Sequence, residues 1–336
     1  MTNIVSIVVP VYNPEMSLLE RAVQSVLNQN YINYELLLIN DGSTDSQVLS
    51  YLEKQSTVEG IRVLHQKENR GVAEARNRGM REAIGDWVAF LDQDDYYCPD
   101  FLSGMMQGVE NSDADMRMAG FYLVRGEQRK PFPAASGSFA SPWLIWSTCA
   151  IWSRIYRRKA LLENAVAFPQ GCYTEDMLFV LQCNSRLKAE VVPKWLYNNW
   201  ISDGSTSRSG AFSMLEMHQL PYSYLKEFIY SRNSEKDRYA IGYLYNELAL
   251  LTCILIRNSS GGVCRESVQR ARELVDILSM GGGSKREKVR FLKEYLKNAE
   301  LDRKMKLVIL GLFHAFSFHT EGVYCMLVRK ALRVFC

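Results

Sequence analysis

The amino-acid sequence predicts an α/β fold over residues 1–210, with a mostly parallel central sheet flanked by helices, followed by a mainly α-helical region over 211–336. Three observations carry this expectation. Apolar runs of strand length alternate with stretches of helical spacing through the first 95 residues. The first run, Val5-Ser-Ile-Val-Val-Pro-Val11, is almost continuously apolar, as in a strand covered on both faces. From about Phe212 the spacing turns helical and is broken only at Ser259–Gly262 and Gly281–Ser284.

The elements follow in order. After the first strand the chain breaks at Tyr12-Asn13-Pro14. A helix then places Leu18, Ala22 and Val26 on one stripe, with Leu19, Val23 and Leu27 beside it. Glu35–Asn40 is the second strand. It runs into Asp41-Gly42-Ser43-Thr44-Asp45, which is turn chemistry ending in a helix cap. Ile61–Leu64 is the third strand. Asn69-Arg70-Gly71 opens a helix that carries Val72, Ala75, Met80 and Ala83, and Gly85-Asp86 closes it. Trp87–Leu91 is the fourth strand. The order β-α-β-α-β-α-β implies parallel pairing with right-handed crossovers. A helix over Phe101–Ser112 and a strand over Asp115–Val124 come next. Gly126–Ser141 lacks periodicity and reads as a long loop, either mobile or bordering a pocket.

The fourth strand ends in Asp92-Gln93-Asp94-Asp95. Open α/β sheets bind ligands outside the carboxyl ends of their strands, and Asp41 ends the second strand at that same edge. Like charges this close repel unless a cation or hydrogen-bond donors offset them. A hard divalent ion held by one or two carboxylates, and completed by substrate phosphate, meets that need. A solvated acidic turn is the plainer alternative.

Composition excludes other classes. The chain has 336 residues, is 47% hydrophobic and 23% charged, and carries a net charge of +3. Residues 301–336 hold six Lys/Arg against two Asp/Glu, so the rest is near neutral, which argues against nucleic acid as a partner. The eight cysteines are scattered without a Cys-x-x-Cys pair, which favours reduced thiols in a cytosol. No secretory signal pattern opens the chain, and the uncharged run Leu307–Thr320 is too short to span a bilayer. Basic residues flank that aromatic-rich run. It reads either as an interfacial element on an anionic membrane or as a terminal helical hairpin docked on its own domain.

Five segments now stand in order: Val8-Val9-Pro10-Val11-Tyr12-Asn13, Asn40–Asp45, Asn69-x-Gly71, Ala75-Arg76-Asn77-x-Gly79, and Gly85-x-Trp87 through Asp95. Together they resemble the family 2 glycosyltransferases of GT-A fold, a Rossmann-like architecture. The resemblance continues more weakly through Trp152–Tyr156, Thr174-Glu175-Asp176 and Tyr197–Thr206.

The resemblance implies an inverting, metal-dependent transfer of a sugar from a nucleotide-sugar donor, most often a UDP-sugar. The implied acceptor is a hydroxyl of a glycan or of a lipid-linked precursor of bacterial cell-surface polysaccharide. It implies Pro10, Tyr12, Asn13, Asp41, Asn69, Arg76, Asp92 and Gln93 around the donor. Within that set Asp41 holds the nucleobase, Arg76 lies near the base and diphosphate, and Asp92 binds the ribose. A Mn2+ or Mg2+ ion falls to Asp94, with Asp95 assisting or orienting the turn. Asp176 falls in the general-base position, with Glu175 beside it.

Locally, Glu175 and Asp176 read equally as helix-capping acids. Trp200 reads as a sugar-stacking or a core residue. No His follows Tyr197, so a third protein ligand to the metal is not implied. The expected location is cytoplasmic, peripheral on the inner face of the membrane. The alternative function is an inactive GT-A module that binds sugar nucleotide or glycan. A sugar nucleotidyltransferase lacks support, because Pro10-Val11-Tyr12-Asn13 stands where its Gly-rich loop belongs.

Overall fold

The computed structural model describes residues 3–201 except 134–135, 137–138, 140–144, 146–147 and 172–174. The expected helical region over 211–336 and its basic segment lie outside the described residues, as do Thr174 and residues 202–206. All described residues belong to one compact unit.

The expected β-α alternation is present: β1 (Val5–Val11), α1 (Met16–Leu27), β2 (Tyr34–Asn40), α2 (Ser46–Ser56), β3 (Ile61–His65), α3 (Val72–Glu82) and β4 (Trp87–Phe90). A two-residue β5 (Tyr96–Tyr97) and α4 (Phe101–Met106) follow. Next come β6 (Met116–Arg125), β7 (Gln128–Phe132), β8 (Arg154–Arg157), α5 (Arg158–Glu163), α6 (Glu175–Arg186) and β9 (Ala189–Trp200). The helix expected to Ser112 stops at Met106, and a separate 3-10 turn covers Val109–Asn111.

The strands form one sheet in the order β3-β2-β1-β4-β8-β6-β9-β5, with β7 paired to β6. The first four strands pair in parallel, and so do β6 and β9. β4–β8, β6–β8, β6–β7 and β5–β9 are antiparallel, so the sheet is mixed beyond β4. Part of the segment expected to be a loop is therefore strand. Gly126, at φ 55°, supplies the left-handed turn that folds β7 back on β6.

β1 is covered on both faces, as its unbroken apolar run predicts. Val5, Ile7, Val9 and Val11 pack with Leu19, Ala22, Val23 and Val26 of α1. Val8 faces the other way, toward Ala75 and Met80 of α3. That contact needs Gly79, where an added Cβ would lie 2.2 Å from a Val8 methyl. Phe90 sits on this second face, edge-on to Phe168 and Phe179.

β1 lies between β2 and β4, so the strand order reverses there. The carboxyl ends of β1 and β4 then border the crevice where doubly wound sheets take ligands. Among the described residues no helix is long and apolar enough to cross a membrane.

Candidate active site

Tyr12 and Gln93 follow β1 and β4 at that crevice. The Tyr12 backbone N–H donates to Gln93 Oε1 at 2.8 Å, which joins the two strand ends. Tyr12 is 44% exposed and forms part of the rim. Pro10 is buried within β1. Asn13 takes a positive φ of 41° and accepts at Oδ1 from the N–H groups of Thr44 (2.9 Å) and Asp45 (3.0 Å). Asn13 therefore laces the loop after β1 to the loop after β2.

Asp41 is buried and accepts three hydrogen bonds. Gln66 Nε2 and the Arg70 N–H donate to Oδ1 at 2.8 Å each, and the Gly71 N–H donates to Oδ2 at 2.9 Å. Burial raises its carboxyl above the usual range against those donors. The Gly71 N–H also reaches Asn69 Oδ1 at 2.9 Å, so Asn69 and Asp41 hold the start of α3 together. Gly42 turns the chain just beyond, at φ 72°, with the backbone of Asn69 2.6 Å from where a Cβ would stand. No side chain fits there.

Arg76 joins the acidic turn to the first turn of α6. It lies on α3 with its side chain 4% exposed. Its Nη2 meets Asp92 Oδ1 at 2.8 Å, and its Nη1 meets Glu175 Oε1 at 3.2 Å and Asp176 Oδ1 at 2.5 Å. One guanidinium thus bridges carboxylates 16, 99 and 100 residues away. Burial alone would lower the Arg76 pKa; the charges of Asp176, Asp92 and Glu175 overcome it and raise it. Three carboxylates share this single cation, so the group carries excess negative charge. Asp176 is pushed up to about 8, chiefly by loss of water, with Arg76 opposing and Glu175 and Asp92 adding to the rise. Glu175 is raised for the same first reason.

The rest of the acidic turn divides in two. Asp95 faces inward and is 1% exposed. It accepts from the Tyr197 hydroxyl (2.7 Å), the Trp200 N–H (2.6 Å) and Asn199 Nδ2 (3.1 Å). Both of its oxygens are engaged, which is the geometry of a residue orienting the turn. Asp94 is the freer carboxylate, with no ion pair among the described residues. Loss of water and then Asp92 raise it to about 6.

Among the described residues no group of three or more His, Cys, Asp or Glu is disposed to hold a metal ion by itself. A magnesium-like ion does not need one, since it keeps waters and takes one or two carboxylates plus substrate phosphate. A desolvated, unpaired Asp94 beside Asp92 fits such an ion.

The structure therefore gathers Arg76, Asp92, Glu175 and Asp176 into one ion cluster with Asp94 on the adjoining turn. Asp41 and Asn69 form a second cluster at the start of the same helix, α3. Gln66 gave no local signal in the sequence. Asn199 lay in a segment singled out there, but without a role.

A family model for "Glycosyl transferase family 2" matches residues 6–165. An Escherichia coli (strain K12) protein named uncharacterized glycosyltransferase YibD is 28% identical over 222 residues, 62% of this chain and 64% of its own. The chain spans less than two thirds of the length of that relative and of the next ones. Among solved structures, S. aureus TarS residues 1–349 in complex with UDP-GlcNAc has a TM-score of 0.68 at 18% identity. That match covers 98% of this chain and 91% of TarS 1–349. A mannosyltransferase from Pyrobaculum calidifontis, PcManGT, in complex with GDP-Man and Mn2+, has a TM-score of 0.55 at 16% identity and covers 94% and 86%. These likenesses show a GT-A fold. The match over residues 6–165 and the glycosyltransferases among its relatives support a family 2 glycosyltransferase.

Proposed function

We propose that this protein is an inverting glycosyltransferase that moves a sugar from a UDP-sugar to a hydroxyl of a glycan or lipid-linked acceptor in cell-surface polysaccharide synthesis. The observation that carries this reading is the Arg76 cluster, which sets Asp176 beside the acidic turn at one sheet edge.

Asp176 is the general base. It takes the acceptor hydroxyl proton as that oxygen bonds to the anomeric carbon, while the bond to the donor phosphate breaks and the nucleoside diphosphate leaves with the electron pair. A raised pKa makes the ionised carboxylate a stronger base, and Arg76 keeps it oriented. Glu175 orients the acceptor side of the cluster. Asp92 faces the donor ribose, with Arg76 fixing its carboxylate. Asp41 has about one of its four acceptor positions left for the imide N–H of uracil. Pro10, Tyr12, Asn13, Asn69 and Gln93 shape the donor crevice. Asp94 holds a divalent ion, Mn2+ or Mg2+, with Asp95 fixing the turn beneath it. When bound, that ion neutralises charge on the leaving diphosphate.

In this reading the catalytic domain covers 1–210, and residues 211–336, outside the described residues, bring the enzyme to the inner membrane face. TarS and PcManGT, solved in complex with nucleotide sugars, support the donor class. The test is a panel of nucleotide sugars scored for donor hydrolysis with and without Mn2+. Hydrolysis of a UDP-sugar that requires the ion is expected. Faster turnover of a GDP- or CDP-sugar refutes the donor assignment, and binding without turnover of any donor favours an inactive sugar-nucleotide-binding module.

A further inference from the structure

Arg21 lies on α1, outside every group the sequence singled out. Its Nη2 donates to the backbone carbonyl oxygen of Asp94 at 2.8 Å. Its guanidinium carbon lies 4.5 Å from the ring centroid of Tyr96 and 4.4 Å from that of Trp200. A flat, delocalised cation over two aromatic rings is held by both quadrupoles while its in-plane N–H groups stay free to donate. Its Nε is buried without a hydrogen-bond partner among the described residues. Four pieces of the chain meet on this one side chain: α1, the acidic turn, β5 and the end of β9.

The turn is then fixed from two sides. Arg21 holds the carbonyl of Asp94, and the Trp200 N–H holds the carboxylate of Asp95. Trp200 serves both, since its ring lies against Arg21 and its backbone against Asp95. The Asp94 carboxylate has no ion pair among the described residues and, unlike that of Asp95, accepts from none of Tyr197, Asn199 and Trp200. Arg21 makes no ion pair with it; its charge favours the ionised carboxylate through space, and its hydrogen bond to the carbonyl acts through the backbone.

We propose that Arg21 is a positioning residue that clamps the Asp94 peptide, and so aims the Asp94 carboxylate at a divalent cation bound with the donor diphosphate. The proposal rests on the reading above that Asp94 holds that cation. Lysine does not replace this clamp. An ammonium is a point charge on a flexible stem, without a plane to lie on two rings.

The test measures UDP binding by calorimetry at a series of Mn2+ concentrations, using the full chain. Arg21→Met and Arg21→Lys are each expected to raise the half-saturating Mn2+ concentration about tenfold, the lower end of what loss of a group orienting a metal ligand costs. UDP binding without Mn2+ is expected to stay as in the wild type. If both variants keep the wild-type half-saturation, the proposal is wrong while the Asp94 assignment stands. If Arg21→Lys alone restores it, only the charge matters and the clamp is refuted. If the variants lose UDP binding equally at every Mn2+ concentration, Arg21 is structural and the proposal fails. If the wild type shows no Mn2+ dependence, the Asp94 reading falls and takes this one with it. Should Arg21→Met fail to fold, Arg21→Lys decides alone.

Discussion

Replacing Arg76 by methionine removes the one cation in a group of three carboxylates and nearly keeps the stem volume. In the wild type the guanidinium is 4% exposed and meets Asp92, Glu175 and Asp176 between 2.5 and 3.2 Å. Breaking a buried ion pair on one side costs about 3–5 kcal/mol, because the remaining charge is left uncompensated. Asp92 and Asp176 keep 26% and 30% of their side chains exposed, so water softens the loss. The lower end, about 3 kcal/mol, is the better expectation. For a unit of this size each kcal/mol moves the midpoint by about 2–4 °C, which gives a fall of roughly 6–12 °C.

The sign with pH follows from the raised carboxylates. Their folded pKa exceeds the unfolded one, so the folded state binds more protons between the two values. The stability this adds is lost as pH rises through the folded pKa, about 8 for Asp176. Without Arg76 the repulsion is therefore greatest above pH 8 and least near pH 5, where Glu175 and Asp176 hold protons more readily. The assay is thermal unfolding of both proteins at pH 5, 7 and 8.5. A variant that melts with the wild type at pH 8.5, or that loses as much at pH 5, would show that Arg76 does not neutralise this cluster.

Other expectations follow from the same geometry. Asp94→Asn keeps the shape and removes the charge, so a folded variant is expected to lose Mn2+-dependent UDP binding; calorimetry showing unchanged dependence rejects the assignment. Asp176→Asn is expected to lower transfer roughly 10²–10⁴-fold with UDP affinity kept, and near-normal initial rates would leave Glu175 as the base. The wild-type rate is expected to climb as pH rises toward and past about 8, as Asp176 ionises, and a rate flat from pH 6 to 9 contradicts that. Deleting residues after Asp302 is expected to move the protein from membrane to soluble fractions; a full chain that ignores anionic vesicles at low salt refutes the membrane role.

The parallel half of the fold was legible because its signals are local. The continuous apolar run of β1, the helical stripe of α1 and the turn after Asn40 each lie within a dozen residues. β8 and β9 left no such trace. The turn at Gly126 was hidden by a segment that reads as featureless. At the site, the sequence singled out Arg76, Asp92, Glu175 and Asp176 one by one, yet could not show that one guanidinium holds the three acids. Two of its partners lie 99 and 100 residues away. Asp95 shows the same limit. Asp94 and Asp95 look alike in the chain, and only Tyr197, Asn199 and Trp200, brought in by β9, turn one inward.

That inward carboxylate sets an order on the chain's own synthesis. β1 to β4 and their helices can assemble as soon as residue 90 or so has left the ribosome. The acidic turn then waits for the partners at 197–200, and Arg76 waits for 175 and 176. At about 5–20 residues per second the wait is several seconds to some 20 s. During it the nascent chain carries a half-built sheet, open at β4 until β8 emerges, and an acidic loop without its donors. A fragment ending at 165, the reach of the family match, would have β8 to cover β4 but would permanently lack the partners at 175–176 and 197–200.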